Sequence, residues 1–189
     1  MTPTRRRFLQ LGAVAGAIGG AGALSGRALA QAYTGPARRI ALHNTHTSES
    51  IDAVYWENGR YVPEALTALN HVLRDYRNNE VHVMRPELMD LISTLGRAVD
   101  HTGPVQIISG YRSPVTNAFM HVHSSGVASH SLHMQGMAMD IRMPGVQLSH
   151  LHNAALSLGR GGVGYYPSSD FVHVDVGPVR HWGAASHNS

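Results

Sequence analysis

The chain has 189 residues, no cysteine and no lysine, and its 15 arginines stand against 12 acids for a formal charge of +3. That length suits one domain with its own core, and the lack of cysteine excludes a disulfide framework or a lipid-bearing cysteine, leaving stability to packing and to any bound metal. Arg5, Arg6, Arg7 and Arg27 lie in the first thirty residues, so the remainder holds eleven Arg against twelve acids, about −1, with no basic excess to argue for nucleic acid.

Those first residues form a leader pattern. Thr4-Arg5-Arg6-Arg7-Phe8-Leu9-Gln10 is a twin-arginine signature, Leu11 to Leu24 is an Ala/Gly/Leu/Val stretch, and Ala28-Leu29-Ala30 is a small-x-small cleavage site. The expectation is a signal peptide over residues 1–30, export by the Tat machinery to the periplasm, and a single mature domain over 31–189. An uncleaved anchor fits less well, because the apolar run is glycine-rich and short for a bilayer. The mature chain has no apolar run long enough to span a membrane.

After an extended lead-in, Arg39 to Leu42 and Ile51 to Trp56 predict a strand pair, with Glu57-Asn58-Gly59-Arg60 as a turn. Pro63 and Pro86 each open a helix. Leu66, Leu69, Val72, Leu73 and Tyr76 mark the first buried stripe, and Leu88, Leu91, Ile92, Leu95 and Val99 the second. Pro104 to Ser109 reads as a buried strand ending at Gly110, which leaves Arg112 at a strand end where its planar fork can reach into a cleft. Pro114 to His130 predicts a short helix or loop over a site. Strands follow at Ala138–Arg142, Val163–Tyr166 and Phe171–Val176, with a helix through Leu148, Leu151, Ala155 and Leu158 between the first two.

Most of the 14 histidines lie in polar or loop-like contexts where no metal is needed. His121 and His123 fall in the expected helix, where side chains two apart diverge. His133, Asp140 and His173 differ. Gly136 lets the chain turn after His133, Ala138 and Asp140 share one strand face, and His173 and Asp175 share one face of another. Two imidazoles and a carboxylate beside apolar bulk are the ligand set of an open zinc site.

Ser131-x-His133-x-x-Gly136-x-Ala138-x-Asp140, with Ser109-Gly110-Tyr111-Arg112-Ser113 before it and Gly161-Gly162-Val163-Gly164-Tyr165-Tyr166-Pro167 and Phe171-Val172-His173-Val174-Asp175 after it, resembles the D-Ala-D-Ala peptidase/hedgehog-type zinc metallopeptidases. The similarity is greatest to their murein endopeptidase branch and runs to Arg180-His181-Trp182. It implies an α+β fold with a central antiparallel sheet and flanking helices, and one Zn²⁺ per chain on His133, Asp140 and His173. It also implies a periplasmic enzyme cutting peptide cross-links of peptidoglycan, with the bond between two meso-diaminopimelate residues as the expected target.

By the same resemblance Arg112 stabilises the oxyanion or clamps a substrate carboxylate, with Tyr111 and Ser131 beside it on the substrate side. Two aspartates compete as general base. Asp170 lies three residues before the last His ligand, a spacing common in the wider superfamily, and Asp175 forms the His-x-Asp pair of the endopeptidase branch. Asp175 has a second role open to it, orienting His173. The rival functions are a D,D- or L,D-carboxypeptidase on stem peptides and a non-catalytic, zinc-stabilised cell-wall binding module.

Overall fold

Burial alternates along Arg38–Asn44 (β1), with Ile40, Leu42 and Asn44 pointing inward, as a half-buried strand requires. Ser50–Glu57 (β2) pairs with it antiparallel, and Asn58-Gly59, both at positive φ, turn the chain into the short Arg60–Tyr61 (β3). The computed structural model describes residues 35–124 and 127–183. The expected leader, residues 1–30, lies outside them.

Pro63–Val72 (α1) and Pro86–Ala98 (α2) both begin with proline at the first turn, where its missing N–H costs nothing. α2 carries Glu87 at its positive end and Arg97 at its negative end, and buries Leu88, Leu91, Ile92 and Leu95 on one side. Val105–Ser109 (β4) follows. Pro114–His123 (α3) is capped by Ser113, whose hydroxyl accepts from Thr116 N. After a 3₁₀ turn at Leu132–Gln135 come Ala138–Arg142 (β5), Leu148–Leu158 (α4), Gly162–Tyr166 (β6), Phe171–Asp175 (β7) and Arg180–Gly183 (β8).

The strands form one eight-stranded sheet in the order β3-β2-β1-β4-β5-β7-β6-β8. The expected antiparallel sheet is present, with two parallel joins, β1 to β4 and β6 to β8. One side of it packs into a continuous core in which Ile40 and Leu42, the α2 stripe, and Met139, Ile141, Val172 and Val174 meet. Alternation then sends Ala138, Asp140, His173 and Asp175 to the opposite side. The β8 strand was not foreseen. No helix among the described residues is long and apolar enough to cross a membrane.

One polar clamp fixes the hairpin to α2. Asp90 accepts from Tyr61 Oη at 2.7 Å, Tyr55 Oη at 2.9 Å and Arg38 Nη1 at 2.7 Å. Burial works against its ionisation, yet the Tyr61 hydroxyl, the Arg38 guanidinium and the Tyr55 hydroxyl hold its carboxyl below the usual carboxylate range. A folded-state pKa below the unfolded value of about 3.9 gives stability that is fully present above that value and fades as pH falls through the folded-state pKa. Asp90→Asn should therefore unfold at lower urea than the parent at pH 7, and the gap should shrink below about pH 4. A gap independent of pH would contradict the clamp.

Candidate metal centre and active site

The polar face of the sheet is laid out in cross-strand rows. Asp140 of β5 pairs with His173 of β7, His173 with Gly164 of β6, and Gly164 with Trp182 of β8. A Cβ on Gly164 would lie 2.7 Å from the Trp182 ring, so the glycine makes the gap through which the indole reaches His173, with ring centroids 5.0 Å apart. One step along, Ala138 pairs with Asp175, and Gly162 pairs with Arg180. Here a Cβ on Gly162 would sit 2.4 Å from the Asp175 carboxylate. Small residues thus flank each functional side chain.

His133 enters from outside the sheet on the 3₁₀ turn, which Ser131 caps by accepting from His133 N. Gly136 ends that turn at φ +64, with Val83 O 2.4 Å from where a Cβ would be, so the chain can double back into β5 only with glycine here. His133 Nδ1 lies 2.7 Å from Gly110 O. A carbonyl can only accept, so Nδ1 carries the proton and Nε2 presents a lone pair. Asp175 in turn receives the His173 Nε2 proton at 3.1 Å, which leaves His173 Nδ1 facing inward.

His133 Nε2, His173 Nδ1 and Asp140 Oδ1 then converge, at 3.2 Å between the two nitrogens and 3.2 and 2.9 Å from each to the oxygen. All three residues are buried, and their ligand atoms lie within 4.8 Å of one another, the geometry of a group that could hold a metal ion. Burial opposes the charge on Asp140, but His133 and His173 hold its carboxyl far below the usual range. Burial likewise opposes protonation of His173, and the carboxylates of Asp140 and Asp175 override it and push the ring up to about 9. A cation held at Nδ1 would take that proton's place.

Asp175 is wholly buried and fully employed. Besides His173 it accepts from the amides of Gly162 and Gly177, both at 2.8 Å, and from Arg180 Nη2 at 2.7 Å. Burial would raise its pKa, but His173, the two amides and Arg180 hold it well below the ordinary value. It lies behind His173, on the side away from the ligand atoms.

A cleft of about 490 Å³ opens over the cluster. Arg112 lies in it, 7% exposed, with Nη2 3.7 Å from Asp140 Oδ2. Its contacts to Asn117 and Ser109 are long, at 3.4 and 3.5 Å, and its Nε has no partner among the described residues. A buried guanidinium with donors unspent is aimed at something that arrives. Ser131 also lines the cleft.

Two other expected site residues are not brought there. Tyr111 turns into the core, stacks on His82 and donates its hydroxyl to Glu80 at 2.8 Å. Asp170 is exposed in the turn before β7 and ion-paired with Arg142. Trp182, Tyr166 and Arg180, which carry no site role in the sequence motifs, also line the cleft. Trp182 donates to Tyr166 Oη at 2.8 Å and packs beneath Arg180, so these three form one wall. The signal was present in the Gly162-x-Gly164 spacing, which asks what fills the space two glycines vacate.

Known proteins resemble this chain over most of its length. The family model described as peptidoglycan L,D-endopeptidase MepK matches residues 32–182. The peptidoglycan L,D-endopeptidase MepK of Escherichia coli is 46% identical over 178 residues, covering 94% of this chain and 96% of the relative. That of Shigella flexneri shows the same identity and coverage. A probable peptidoglycan L,D-endopeptidase MepK of Haemophilus influenzae is 37% identical over 179 residues, 94% of this chain and 95% of the relative. With the match running nearly end to end, the chain belongs to the MepK peptidoglycan L,D-endopeptidase family.

Proposed function

We propose that the chain is a peptidoglycan endopeptidase that holds one zinc ion on His133, Asp140 and His173 and hydrolyses meso-diaminopimelate to meso-diaminopimelate cross-links. The observation that carries this reading is the convergence of His133 Nε2, His173 Nδ1 and Asp140 Oδ1 at the base of a cleft. An L,D-endopeptidase name among the relatives supports a bond from an L-centre carbonyl to a D-centre amine. The twin-arginine pattern at Arg5-Arg6-Arg7 and the Ala28-Leu29-Ala30 site support Tat export, cleavage near residue 30, and work by the mature domain in the periplasm.

Two nitrogens and one oxygen suit zinc in an open, three-ligand site. Bound there, zinc supplies Lewis acidity to an attacking water and to the scissile carbonyl. The chain's own residues do the rest. Asp175 holds the His173 ring so that Nδ1, not Nε2, faces the cluster. Trp182 packs against the same ring. Arg112, already desolvated, donates to the oxygen on which charge builds as the carbonyl becomes tetrahedral, with no reorganisation needed at that moment. Ser131 fixes the turn that aims His133. Of the two aspartates, Asp175 is read as the orienting group and Asp170 as a brace for Arg142; neither is assigned the proton transfer.

His133→Ala and His173→Ala should each abolish stoichiometric zinc, read by elemental analysis of the purified protein, together with turnover of cross-linked muropeptides. Full turnover in zinc-free protein would sink the assignment. Arg112→Ala should keep its zinc and lose about a hundredfold in kcat, roughly 3 kcal/mol of transition-state stabilisation. A rise in KM alone, with kcat intact, would move Arg112 from the oxyanion to ground-state binding.

A further inference from the structure

Three guanidinium groups face the cleft. Arg180 is ion-paired with Asp175, and Arg112, 3.7 Å from Asp140, is the group assigned above to the oxyanion. The third, Arg77, has no carboxylate within ion-pairing distance among the described residues, yet it is held in place. Its Cζ lies 4.2 Å from the centroid of the Tyr76 ring, and the His46 ring stacks on the same tyrosine at 3.8 Å and 9°. Two groups that close to one centroid must occupy opposite faces, so Tyr76 is sandwiched and Arg77 forms the outer layer. His46 is anchored in turn through Nε2 to Ile108 O at 3.1 Å.

The loop is tied to the active site rather than to the surface. The buried Asp75 carboxylate accepts from Arg77 N at 3.1 Å with one oxygen and from Ser113 N at 2.9 Å with the other. One carboxylate therefore joins the Arg77 backbone to the residue after Arg112. A stacked, braced and unpaired guanidinium at the mouth of a reaction cleft costs little side-chain entropy when it takes an anion, and its fork suits a carboxylate.

The substrate offers one in a defined place. In a link from an L-centre carbonyl to a D-centre amine, the carbon bearing the scissile nitrogen also bears a free carboxylate. We propose that Arg77 is the subsite for that carboxylate, selecting acidic cross-links and setting the leaving-group side of the peptide in the cleft. The proposal rests on the endopeptidase reading but not on the identity of the metal.

The test compares Arg77→Ala with the unaltered enzyme on two synthetic cross-linked dimers, one with this carboxylate free and one with it converted to the amide. On the free dimer the variant should show KM raised about tenfold and kcat changed less than twofold, a loss of about 1.4 kcal/mol of binding. On the amidated dimer the variant and the unaltered enzyme should match, which also shows that the variant folds and carries out the chemistry. Arg77→Lys should fall between them on the free dimer, because it keeps charge and loses the fork and the stack. Equal losses on both dimers, or no loss on either, would overturn the assignment of Arg77. Failure of the unaltered enzyme to cut either dimer would overturn the endopeptidase reading and this inference with it.

Discussion

The hydrogen bond from His173 Nε2 to Asp175 decides which nitrogen of the ring faces the cluster, and most of the surrounding structure serves to keep it. Asp175 can hold a proton donor in that orientation only while it stays ionised in a place that water does not reach. Two backbone amides and Arg180 keep it so. Leaving such a carboxylate buried without donors would cost several kcal/mol, so its shell must form together with the fold. Two strands on one side of β7 contribute: its neighbour β6 supplies the Gly162 amide, and β8, next beyond β6, supplies Arg180.

Space is the second constraint. A sheet gives each residue a fixed neighbour across the strand, so a bulky side chain in a functional row must be flanked by small ones. Ala138, Gly162 and Gly164 fill this role, and they turn an otherwise regular face into slots for Asp175, Arg180 and Trp182. The apolar side of the same strands has no such gaps. Met139, Ile141, Val172 and Val174 pack there against helices, so the precision of the polar face rests on a rigid layer beneath it.

Much of this was legible from the chain alone. Helices α1 and α2 announced themselves by proline at the first turn and leucine at helical spacing, and β2, β5 and β7 by alternation. The three residues of the buried cluster stood out because a glycine turn separates a histidine from an alternating strand, and a second alternating strand carries the next histidine. What was hidden depends on contacts between distant residues. Arg180–Gly183 is a four-residue edge strand with no alternation of its own, and it exists because β6 offers a free edge. Tyr111 sits one residue before the cleft arginine Arg112, but Glu80, thirty-one positions earlier, holds its hydroxyl away from the cleft. Asp170 has a spacing that suits a catalytic acid, while Arg142, twenty-eight residues earlier, takes its carboxylate. Sequence spacing limits which residues can meet, and packing chooses among them.

The site depends on the tautomers of two rings. Two-bond proton–nitrogen spectra of the histidine side chains in the zinc-loaded protein read them directly. The predicted result is a proton on His173 Nε2 with Nδ1 bound to metal, and a proton on His133 Nδ1 with Nε2 bound to metal. A metal-bound Nε2 on His173 would contradict it, because Asp175 would then have no part in holding the ligand and the rows built around it would have no functional reason.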